Sequence, residues 1–68
     1  MGKWKSVYKV GAEHRAAIVR DVLMEKGLEA VIVDKKDSNY GFGFLEVQVP
    51  ADQVILALNI IEEEIRFE

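Results

Sequence analysis

The sequence predicts an α+β domain in the order strand, helix, strand, strand, helix. Three observations carry that prediction. Two segments repeat apolar residues at helical spacing: Ala12, Ala16, Val19 and Leu23, then Val54, Ala57, Leu58, Ile61 and Ile65. Three short runs, Trp4 to Val10, Ala30 to Val33 and Phe42 to Val49, are rich in β-branched and aromatic residues. Gly11, Gly27, the polar stretch Asp34 to Asn39, and Pro50 punctuate the boundaries between them.

In the first run Lys5, Val7 and Lys9 alternate with Trp4, Ser6, Tyr8 and Val10, as a half-buried strand requires. Gly11 closes it. Glu13 then puts an acid in the first helical turn, where it favours the helix dipole. Lys26 falls in the last turn, and Gly27 can take the left-handed conformation that ends a helix. Leu28 is placed for the apolar contact that accompanies such a cap. The run at Ala30 to Val33 is the second strand, and the polar turn after it leads into the third. There Leu45, Val47 and Val49 face one way and Phe44, Glu46 and Gln48 the other. Pro50 removes a ladder donor and suits the first turn of the second helix, where Asp52 complements the dipole.

The order β-α-β-β-α is a split β-α-β unit, the ferredoxin-like motif without its fourth strand. It implies a three-stranded antiparallel sheet with two helices on one face. Ile65 to Glu68 is too short to supply the fourth strand, so the first strand is expected to be an open edge and one sheet face to be bare. With 68 residues, half of them hydrophobic, the chain fits a single domain over residues 1–68. A core of this size supplies only about 3–5 kcal/mol, and small domains often add a disulfide, a metal or a partner chain. There is no Cys, which excludes a disulfide framework and a thiolate metal site and fits a reducing compartment. Self-association is the staple left, and a homo-oligomer is the expectation. Ile18, Leu56 and Ile60 lie off the main apolar stripes and mark an oligomer or partner surface.

No run of about 20 apolar residues is present to span a bilayer, and no apolar leader follows Lys3 and Lys5, so a cytoplasmic, non-membrane protein is expected. Nine basic against twelve acidic residues give a net charge of −3, which weakens attraction to a phosphate backbone. His14 is the only His and reads as an exposed helix residue. Glu62, Glu63 and Glu64 read as a solvated helix end. No spacing for nucleophilic catalysis, a metal or a phosphate loop is present, so no catalytic residue, metal or cofactor is assigned and a non-enzymatic role is expected.

Tyr40-Gly41-Phe42-Gly43-Phe44-Leu45-Glu46-Val47 resembles the third-strand signature of RNA-recognition motifs, and Val7 to Gly11 is similar to their first-strand signature. That resemblance implies Tyr8, Phe42 and Phe44 as base-stacking residues. Against it, Tyr40 stands where a basic residue belongs, Val47 where an aromatic belongs, and the chain is acidic. Nucleic-acid binding is the alternative reading.

Over nearly its whole length the sequence more closely resembles a small bacterial family of unknown function, described as signal-transducing, with a fold similar to the nitrogen-regulatory PII proteins. The resemblance rests on Trp4 with Val7-Tyr8, on Leu23 with Gly27-Leu28-Glu29-Ala30, and on Val33-Asp34-Lys35-Lys36-Asp37-Ser38-Asn39-Tyr40. It continues through Gly43, Glu46-Val47-Gln48-Val49-Pro50 and Asp52-Gln53-Val54 to Ala57. It implies a PII-like fold and a regulatory role, engaging a protein partner or small ligand. The loop between the second and third strands, which contacts targets in PII proteins, spans only Asp34 to Gly41 here, and no phosphate-binding cluster accompanies it. Nucleotide binding is therefore not carried over. The candidate loop is Lys35, Lys36, Asp37, Ser38, Asn39 and Tyr40.

Overall fold

The computed structural model describes residues 3–35 and 43–65. The elements run β1 (Trp4–Val10), α1 (Glu13–Glu25), β2 (Val31–Asp34), β3 (Leu45–Pro50), a short 3₁₀ turn (Ala51–Gln53) and α2 (Val54–Glu64). The three strands form one antiparallel sheet in the order β1-β3-β2, so β3 is central and β1 and β2 are its edges. This is the predicted α+β architecture, with β3 beginning at Leu45.

The alternation in β3 decides the two faces of the sheet. Leu45, Val47 and Val49 are buried on one face, where Ala16, Val19 and Leu23 of α1 and Ala57 of α2 join them in a single core cluster. Fully burying side chains such as Leu23, Val19, Val47 and Val49 stabilises the fold by about 1.5–3 kcal/mol each. Helix α1 packs across all three strands, whereas α2 packs on β1 and β3.

The end of α1 is built as the sequence predicts. Gly27 has φ +92°, in the left-handed region. Its N–H donates to Met24 O at 3.0 Å, and the Leu28 N–H donates to Leu23 O at 3.0 Å. These two bonds are the Schellman pair, and Leu28 packs on the same core cluster as Leu23. The peptide that follows is held to the 3₁₀ turn that leads into α2, where the Glu29 N–H donates to Gln53 Oε1 at 2.9 Å. At the same end of the sheet, on its β1 side, the Ala51 N–H donates to Lys3 O at 2.8 Å, fixing the turn from β3 into α2 beside the start of β1.

Strand β1 departs from simple alternation. Its register against β3 shifts between Ser6 and Tyr8, leaving Val7 as an extra residue. Before the shift Trp4 faces Pro50 and Ser6 faces Gln48. After it Tyr8 faces Val47 and Lys9 faces Glu46. Val7, Tyr8 and Val10 therefore all pack against the core, and Lys9 moves to the bare face. The sequence alternation placed Tyr8 with Trp4 and Ser6. The bulge overturns that, because one inserted residue reverses the face of everything beyond it.

Helix α2 also corrects the expected stripe. Leu58, assigned to the core, is 46% exposed, while Ile60, assigned to the surface, is half-buried against the core.

Candidate functional site

The predicted loop site begins at Lys35, which is exposed and whose N–H donates to Phe44 O at 2.9 Å, closing the described part of the β2–β3 hairpin. Lys36, Asp37, Ser38, Asn39 and Tyr40 lie outside the described residues, as does Phe42.

The trio Tyr8, Phe42 and Phe44 is not brought together on one face. Tyr8 is half-buried under the helices opposite Val47, which is fully buried. Phe44 is exposed on the other face, with the Lys9 ammonium 5.8 Å from its ring centroid. A base cannot stack on both rings across a sheet.

The bare face carries Trp4, Ser6 and Lys9 from β1, Val31 and Val33 from β2, Glu46 and Gln48 from β3, and Phe44 just ahead of β3. Glu46, at its centre, is only 9% exposed and accepts a hydrogen bond from Gln48 Nε2 at 2.9 Å. The central carboxylate is thus covered by its own neighbours, with the exposed apolar side chains Trp4, Val31 and Phe44 spread around it.

On the helix side, Ile18 of α1 is exposed, as predicted from its position off the core stripe. On α2, Leu56 is 56% exposed, and Ile55, which sequence reasoning passed over, is 76% exposed. With Leu58 they make a largely apolar outer surface. The signal was present in the run Val54-Ile55-Leu56-Ala57-Leu58, which is apolar at every position and so must exceed the width of any single buried stripe.

A groove of about 420 Å³ lies beside β2, lined by Arg20, Asp21 and Met24 of α1 and by Ala30, Val31 and Ile32. Arg20 is held by Asp21 at 3.0 Å on its rim. Among the described residues no group of three His, Cys, Asp or Glu is placed to hold a metal ion, and no helix is long and apolar enough to cross a membrane. His14 is exposed in the first turn of α1, and Glu64 pairs with Lys26 at 3.6 Å.

No family model, curated protein or solved structure matches the chain.

Proposed function

We propose that this chain is a non-enzymatic regulatory interaction module of ferredoxin-like, PII-like architecture, which self-associates and presents a surface to a protein partner or small ligand. The observation that carries the reading is the outer face of α2. Ile55, Leu56 and Leu58 are 76%, 56% and 46% exposed, on a helix that fully buries only Ala57.

The strand order among the described residues supports this reading. Among the described residues the order β1-β3-β2 is compatible with a ferredoxin-like sheet, in which a fourth strand would pair with β1 and none is described. Helix α2 packs on the β1 side of the sheet, where a fourth strand would extend the floor beneath its far flank. Three large apolar side chains exposed on one short helix cost solubility without stabilising the monomer, and they are the kind of surface that binds protein. The sequence resemblance to a signal-transducing family supports the regulatory part of the reading.

Two measurements test it. Sedimentation equilibrium from 10 µM to 1 mM is expected to show a mass above the 7.7 kDa of one chain. A mass of one chain throughout that range would remove self-association from the proposal. Amide NMR titration with nucleotides, second messengers and short peptides is expected to move either residues 35–40 or the α2 face. Shifts confined to neither would remove the ligand and partner surfaces named here.

A further inference from the structure

Among the described residues β1 and β2 are the edges of the sheet, and they differ in how well they are protected. Strand β1 is the longer, with seven residues. It carries Lys5 and Lys9, has Lys3 just ahead of it, and is bulged at Val7. Lysines and bulges are the devices that blunt an edge against pairing. An antiparallel two-fold pairing of β1 with itself about Val7 would set Lys5 opposite Lys9 twice, which is destabilising. Strand β2 has no bulge and no lysine within it, and Asp34 is its one charged residue. Val31, Ile32 and Val33 are apolar, its register with β3 is regular, and Val31 is 41% exposed.

The backbone of β2 faces outward at the right residues. The bond from the Lys35 N–H to Phe44 O makes Lys35 and Phe44 a hydrogen-bonded pair. Antiparallel ladders alternate such pairs with non-bonded ones, so Val33 and Val31 also turn their backbone groups toward β3. Ile32, between them, turns its N–H and C=O to the open side.

We infer that β2 pairs antiparallel with β2 of a second copy of this chain, about a two-fold axis through Ile32, giving a continuous six-stranded sheet. This inference rests on the self-association proposed above and places it at β2, leaving the α2 face for a partner. The axis runs perpendicular to the sheet, as any antiparallel self-pairing requires, so both copies carry their helices on the same side and keep their faces in register.

The pairs on the axis and on the bare face are compatible. Ile32 exchanges both backbone bonds with Ile32 of the partner copy. Val31 lies opposite Val33 of the partner copy on the bare face, and the equivalent pair repeats across the axis. The next pair out is Ala30 opposite Asp34 of the partner copy on the other face, and one step beyond it Glu29 lies opposite Lys35 of the partner copy, also twice. Both are exposed, and they are of opposite charge. The groove beside β2 then faces its own copy across the axis. Met24, 54% exposed on the groove wall, is the side chain positioned to fill it. The short edge and shallow groove make a small interface, at the weak end of specific association.

The test is sedimentation equilibrium on the full chain and two variants. Glu29→Lys replaces two attractive pairs with two repulsive ones and is expected to weaken the dimer by roughly tenfold or more. The double variant Glu29→Lys with Lys35→Glu restores opposite charges and is expected to recover the wild-type dissociation constant. Both positions are exposed, and circular dichroism of each variant confirms that the fold is kept. Self-association unaffected by Glu29→Lys but lost in Ile55→Glu would overturn the β2 interface while leaving the proposed function standing. A wild-type protein that remains a monomer to 1 mM would overturn both.

Discussion

Replacing Gly27 with Ala isolates one backbone term in this fold. Gly27 ends α1 at φ +92°, and a Cβ added there meets no heavy atom within 4 Å. Steric clash with neighbours is therefore absent, and the cost is that of holding an L-residue in the left-handed region, about 1–2 kcal/mol. Ala also restricts the unfolded chain, which offsets about 0.4–1 kcal/mol. The net expectation is destabilisation by about 1 kcal/mol. For a domain of this size that corresponds to a fall in Tm of roughly 4–8 °C. Thermal and urea unfolding followed by far-UV circular dichroism measure both quantities. Gly27→Asn, which tolerates the left-handed region better, is expected to fall between Ala and wild type. Gly11→Ala is the control. Gly11 has no positive φ, and its added Cβ comes no nearer than 4.0 Å to Gly43 O, so a change within about 0.5 kcal/mol or a small gain is expected. A Gly27→Ala protein as stable as wild type would refute the Schellman cap as the device that ends α1.

Two further outcomes follow from burial and from the sheet faces. Leu23→Ala is expected to cost about 2–5 kcal/mol, since Leu23 is fully buried between α1 and the sheet, whereas Leu56→Ala on the outer face of α2 is expected to stay within about 0.5 kcal/mol; urea midpoints compare them. Titrating a short mixed-sequence RNA is expected to leave the Tyr8 ring resonances unmoved, because that ring packs under the helices, and RNA-dependent shifts at both Tyr8 and Phe44 would return the nucleic-acid reading.

The parts of this fold legible in the sequence are those governed by local periodicity and by single special residues. Leu45, Val47 and Val49 show a clean period of two and are buried together. Gly27 and Leu28 spell out a helix end that the structure forms bond for bond. What the sequence hid depends on non-local geometry. The bulge at Val7 has no local signature, since no Gly or Pro marks it, yet it decides that Tyr8 faces the core and Lys9 the bare face. In α2 an almost continuous apolar run makes several stripes equally plausible. The interior choice among Leu56, Leu58 and Ile60 was set by where α2 lies over β1 and β3 rather than by spacing. The expectation that β1 would be the interactive edge came from topology alone. Lys5, Lys9 and the bulge protect β1, and on that ground the pairing proposed above is placed at β2.

Isotope-filtered NOE spectroscopy on an equimolar mixture of labelled and unlabelled protein reports contacts between copies directly. In the proposed register Val31 and Val33 form non-hydrogen-bonded pairs across the axis, where Cα atoms approach to about 4.5 Å and the Hα protons are closest. The account predicts an intermolecular NOE between the Hα of Val31 and the Hα of Val33 of the partner copy. Intermolecular NOEs confined to Ile55, Leu56 and Leu58, or to β1, would contradict it.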